Sequence, residues 1–104
     1  MWNDRFATEA FVFGTEPSQF LMAQRAYLEP GKTALAVADG EGRNSVFMAQ
    51  CGLTVTAMEA APNAIAKARA LAADRGVTVE FIEADIFDWD WDATEFDLVA
   101  GIFI

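Results

Sequence analysis

"TALAVADGEGRNS", residues 33–45, decides the fold. Its first six residues are mostly apolar and do not alternate, which predicts a strand over 33–38 buried on both faces. Gly40 and Gly42 then predict a tight bend, because glycine alone turns freely and lets a ligand approach the backbone. Helix signals resume at Asn44 and run to Cys51, with Gly52 placed just past the end. A strand that bends through glycines into a helix usually cradles an anion on bare N–H groups. Yet Asp39 stands directly before the first glycine and Glu41 between the two. Setting Asp39 against a pyrophosphate would cost about 4 kcal/mol at 4 Å for an effective dielectric near 20.

Working outward, "GTEPSQFLMAQRAYLEPGK" predicts a helix over 17–28. Thr15 or Glu16 caps it, Pro17 opens it and Pro30-Gly31 stops it. Phe20, Ala23 and Tyr27, flanked by Leu21 and Leu28, give it an apolar face. On the other side, "LTVTAM" (53–58) predicts a second strand. "APNAIAKARALAADRG" (61–76) is the clearest helix, with Pro62 near its start and Gly76 beyond its end. "VTVEFI" (77–82) and "FDLVAGIFI" (96–104) predict a third and a fourth strand. The alternation predicts an α/β domain with a mainly parallel sheet. Between the last two strands, "ADIFDWDWDATE" (84–95) predicts a loop that folds two tryptophans onto the sheet. With no internal repeat or linker, the chain reads as one domain.

Composition narrows the function. The chain has 104 residues, a net charge of −9 and only seven Lys plus Arg. No basic face exists for nucleic acid, which is excluded as a direct partner. Histidine is absent, so it serves neither as acid, base nor metal ligand. Cys51 stands alone and reads as a small buried filler. No signal-peptide core opens the chain, and "LVAGIFI" is far too short to span a bilayer. A soluble cytoplasmic protein without a membrane partner is the expectation. The final strand is apolar on both faces, the mark of an interior strand. Residues 96–104 are therefore expected to self-associate, or the polypeptide to be the first part of a larger fold truncated after its fourth strand.

In an open α/β sheet, ligands bind outside the carboxyl ends of the strands. Gly40 and Gly42 follow the first strand, Glu59 ends the second, Asp85 follows the third and Gly101 lies in the fourth. A carboxylate about 20 residues beyond the first glycine accepts both hydroxyls of a ribose, so Glu59 indicates an adenosine-type ligand. A nicotinamide-binding oxidoreductase shares that spacing, but Asp39 and the replacement of the third glycine by Ser45 weigh against it. An ammonium and a sulfonium on the ligand would instead make the carboxylates partners. The N–H groups near Gly42 would then remain open for the ligand's own carboxylate.

These residues resemble the class I S-adenosylmethionine-dependent methyltransferases. "LAVADGEGRNSVFMA" is similar to the family's first motif, and its "GRNS" run resembles the tellurite-resistance-type, small-molecule subgroup. "VTAMEA", "EADIFD" and "FDLVAGIF" resemble the next three motifs in order, and "WNDRF" with "FVFGTEPSQFL" resembles the N-terminal segment of those relatives. The resemblance implies the N-terminal part of a single methyltransferase domain, a Rossmann-like three-layer sandwich, with residues 1–30 an entry segment and helix and 31–104 the cofactor-binding βαβαββ core. It also implies S-adenosyl-L-methionine as cofactor, S-adenosyl-L-homocysteine as product and a small-molecule methyl acceptor. It places Asp39, Gly40 and Gly42 around the methionine part, Glu59 on the ribose and Ala60 beside the adenine. Asp85 would accept the adenine amino group, the Ile86 N–H would meet a ring nitrogen, and Gly101 would line the same site. Arg43 has two roles open, pairing with nearby acids or reaching the cofactor carboxylate. Phe13 and Gly14 are open to a lid role or to plain packing. No general base and no metal ligand is identified. Glu59 stands where Asp is commoner, Ala61 replaces a frequent polar residue, and the family's later strands and acceptor loops are not in this sequence. A non-catalytic half-fold associating through its last strand is the competing expectation.

Overall fold

The computed structural model describes residues 2–7, 10–12, 14–91 and 95–101. Four parallel strands, β1 (Thr33–Ala36), β2 (Thr54–Glu59), β3 (Val79–Glu83) and β4 (Leu98–Ala100), form one sheet in the order β3-β2-β1-β4. Register follows directly: Ala34 lies opposite Val55 on one side and Leu98 on the other. The sequence places two helices between these strands, α3 (Arg43–Gln50) and α4 (Pro62–Asp74). Both crossovers step the same way across the sheet, so α3 and α4 lie on one face and touch each other.

Alternation inside the strands supplies a core to each face. Ala34, Ala36, Val55 and Ala57 meet Met48 and Leu53 on the helix side. Leu35, Val37 and Met58 point the other way and are covered by Ala84, Ile86, Trp89 and Phe96. Each large apolar side chain fully buried in this way contributes about 1.5–3 kcal/mol. Among the described residues, the layer on that second face is therefore the irregular segment after β3, as expected for Trp89. Trp91 remains half exposed, and a groove of about 310 Å³ opens there between Leu35, Trp89, Trp91, Glu95, Phe96 and Val99.

Several boundaries differ from expectation. The first strand ends at Ala36, because Val37 and Ala38 already belong to the turn. The helix expected over 17–28 is shorter: α2 (Gln19–Ala23) is followed by a 3-10 turn at Arg25–Tyr27. Ser18, not Thr15 or Glu16, caps it, accepting the Leu21 N–H on Oγ at 3.1 Å. Since the helix breaks at Gln24, Phe20 and Tyr27 do not form a buried stripe; they are 66% and 68% exposed, and only Leu21 and Leu28 reach the core. A short helix not anticipated from sequence, α1 (Trp2–Arg5), precedes them. Of the expected strand 96–104, residues 102–104 lie outside the described residues, as does Phe13.

Candidate functional site

All four strands run the same way, so their carboxyl ends share one edge of the sheet. That edge carries the Gly40–Gly42 bend after β1, Glu59 at the end of β2, Asp85 after β3 and Gly101 after β4. Strand order reverses between β1 and β4, which puts the bend and Gly101 on either side of the switch point. The bend itself alternates through the left-handed region, with φ of 51° at Ala38, 65° at Gly40 and 92° at Gly42. Ala38 adopts this conformation without the freedom of a glycine, a local strain of about 1–2 kcal/mol.

The two glycines do different work. A Cβ on Gly40 would meet nothing closer than the Phe6 ring at 4.0 Å, so this face of the bend is open. A Cβ on Gly42 would lie 2.7 Å from the Cβ and 2.9 Å from the Cα of Ala68. Gly42 thus admits the backbone of α4 rather than a ligand.

The expected open N–H groups are partly taken. The Gly40 N–H donates to Glu59 Oε1 at 2.8 Å, and the Gly42 N–H to the Asp39 carbonyl at 3.4 Å. Glu59 also accepts the Ala61 N–H on Oε2 at 2.9 Å. Both carboxylate oxygens are therefore fixed by backbone, and each retains acceptor capacity for a hydroxyl.

Neither acid of the bend faces outward. Asp39 is 8% exposed and accepts the Ser45 hydroxyl on Oδ2 at 2.7 Å and the Ser45 N–H on Oδ1 at 3.2 Å, closing the first turn of α3. Burial pushes its carboxyl up to about 7; the Ser45 bonds oppose that rise, the Glu59 charge adds to it and the Arg43 charge subtracts. The Arg43 charge thus acts on a nearby acid. Glu41 turns toward the N-terminal segment, accepting the Val12 N–H at 2.7 Å and pairing with Lys67 at 2.7 Å.

Asp85 accepts the Phe87 N–H on Oδ1 at 2.9 Å, and its carbonyl accepts the Asp88 N–H, so it caps the turn after β3. Ile86 is half buried against Leu35, Val37 and Met58, while Ala60 and Gly101 are exposed. Gly14 is exposed with φ 80°.

Sequence reasoning missed the contacts that hold the N-terminal segment to this edge. The Asn63 N–H donates to Asn3 Oδ1 at 2.9 Å, the Ser18 N–H to Asn44 Oδ1 at 2.8 Å, and Lys67 reaches Glu41. Asn44 and Lys67 read as ordinary helix residues; no spacing marks partners 26 positions away.

An all-parallel sheet in the order β3-β2-β1-β4, with a glycine bend at its carboxyl edge, defines an α/β fold of the Rossmann-like class. Residues 34–103 match the methyltransferase domain family, and the chain belongs to that family. It is 32% identical to a protein from work on the conversion of a disulfide bond into a thioacetal group during echinomycin biosynthesis. That match covers 81% of this chain and 35% of the other, with a TM-score of 0.71. A SAM-dependent methyltransferase from Thiobacillus denitrificans, solved with S-adenosyl-L-homocysteine, matches at 22% identity over 93% of this chain and 41% of its own, with a TM-score of 0.74. The YJHP protein of E. coli matches at 21% identity over 97% and 43%, with a TM-score of 0.77. The last two likenesses carry the fold. The chain spans between 35% and 43% of the length of these three proteins. No curated protein matches it. Among the described residues no helix is long and apolar enough to cross a membrane.

Proposed function

We propose that this chain binds S-adenosyl-L-methionine along the carboxyl edge of its sheet and serves the transfer of its methyl group to a small-molecule acceptor, as the cofactor-binding part of a methyltransferase. One observation carries the reading: Glu59 is held by the N–H groups of Gly40 and Ala61, so the ribose-accepting carboxylate and the glycine bend are a single unit. The residues suit the group. Gly40 leaves open space above the bend, Glu59 keeps acceptor capacity, and the Glu59 charge raises the Asp39 carboxyl, a penalty that a positive group on the ligand would relieve.

In this reading Glu59 takes the ribose hydroxyls, Ala60 lies beside the adenine, and Asp85 with the Ile86 N–H meets the adenine edge. Gly101 lines the opposite side of the switch point. Asp39 acts on the ligand's positive groups by its field, because its oxygens are turned to Ser45. Arg43 moderates that field. The cofactor, when bound, supplies an electrophilic methyl group on a cationic sulfur. What the protein contributes is alignment and exclusion of water. A small-molecule acceptor fits the net charge of −9, which disfavours polyanions.

Calorimetric titration of the folded chain with S-adenosyl-L-homocysteine tests the proposal. Saturable heat is expected, together with its loss in Glu59→Ala. A folded chain giving no heat at millimolar ligand, or thermal stabilisation by NAD alone, would defeat it.

A further inference from the structure

Glu41 is the bend residue whose side chain leaves the bend. Its Oε1 accepts the Val12 N–H and its Oε2 accepts from Lys67 Nζ, each at 2.7 Å, while Lys67 also donates to the Ala10 carbonyl. These groups close a ring that grips residues 10–12 by one N–H and one C=O. The hydrogen bonds hold backbone, and Lys67 Nζ also lies 5.7 Å from the centre of the Phe11 ring. The side chains there fill two clusters: Phe11 against Val46, Leu71 and Ala72, and Val12 against Phe6, Ala61 and Ala64.

The pair is nearly closed to water, with the Lys67 and Glu41 side chains 12% and 3% exposed. A buried ion pair is a poor source of stability, because desolvation offsets the attraction and apolar residues of similar volume often do as well. Its strength is placement, since charge-assisted hydrogen bonds are short and directional. The next residue of α4, Ala68, is the one that Gly42 meets. Consecutive residues of one helix thus fix Glu41 and Gly42, and through Glu41 they fix the N-terminal segment.

From this geometry we propose that Glu41 and Lys67 form a positioning latch that couples residues 10–12 to the glycine bend, so that a bound adenosyl cofactor and the seated segment stabilise each other. The inference rests on the cofactor reading above. A ligand that orders the bend orders Glu41 and thereby the segment. Linkage then requires the seated segment to raise ligand affinity by the same factor.

The test compares the full chain with the double variant Glu41→Gln/Lys67→Met, following hydrogen exchange at the Val12 amide and titrating each with S-adenosyl-L-homocysteine. Removing both charges leaves no uncompensated buried ion, so the melting temperature is expected to stay near that of the parent. Val12 exchange is expected to quicken and ligand affinity to fall about tenfold. Ligand should slow Val12 exchange in the parent and have little effect on it in the variant. A merely structural pair would leave the ligand effect on Val12 intact in the variant, which overturns the latch. Affinity unchanged within about twofold overturns it too. Absence of ligand heat in the parent defeats the cofactor reading itself, and the coupling with it. Should the double variant fail to fold, Glu41→Asp, which keeps a charge opposite Lys67 but shortens the arm that reaches Val12, is scored by the same two readings.

Discussion

An acid lies against each end of β1, Asp39 from the turn after it and Asp97 from the residue before β4, and the two could hardly be treated more differently. At the carboxyl end, Asp39 is buried beneath the glycine bend and bonded to Ser45. At the amino end, exposed Asp97 accepts the Thr33 N–H on Oδ2 at 2.8 Å, and its own N–H donates to Thr33 Oγ1 at 3.0 Å. Burial raises the first acid to about 7; the Thr33 N–H lowers the second. One end of the strand keeps a carboxylate at a desolvation penalty. The other uses a carboxylate to start the pairing of β1 with β4.

The harshest way to break the contrast is Gly42→Ala. The added Cβ would sit 2.7 Å from that of Ala68 in a left-handed conformation, at the packed end only. Strain and overpacking together are expected to remove about 4 kcal/mol of stability, read by urea denaturation.

Asp39→Asn sharpens it. Because the folded value lies above the ordinary 3.8, folding holds this proton more tightly than the unfolded chain does. The stabilising contribution is full below about pH 4 and is lost as pH rises through about 7. A shift of that size corresponds to about 4 kcal/mol once the acid is fully ionised. Asn accepts the Ser45 donors more weakly than a carboxylate, so the expected net gain is about 2 kcal/mol at pH 8 and near zero at pH 4. Melting curves at the two pH values check this, and weaker S-adenosyl-L-homocysteine binding should accompany the gain.

Asp97→Asn gives the smallest effect, with the opposite sign. Its folded value is lowered, so its contribution is present above the ordinary 3.8 and fades as pH falls. A small drop in melting temperature is expected at pH 7 and none at pH 2, with the difference shrinking in high salt.

Much of this was legible in advance. The α/β alternation, the parallel sheet, Gly52 and Gly76 beyond their helices, and the line of Gly40, Glu59, Asp85 and Gly101 on one edge follow from periodicity and turn chemistry. The direction of the bend's acids did not. Asp39 and Glu41 stood beside the glycines in sequence, and a charge argument turned both toward a ligand. Ser45, Val12 and Lys67 claim them instead, at sequence separations of 6, 29 and 26 residues. Phe20 and Tyr27 misled in the same manner, because a break at Gln24 undid a stripe that assumed a continuous helix.

The amino-acid order alone settled which segments extend, which coil and where they turn, because those preferences act between near neighbours and repeat with the period of each element. Only the folded chain decided where each carboxylate spends its charge. That choice depends on burial and on donors brought from distant positions, and neither exists until the sheet and its helices have closed around them.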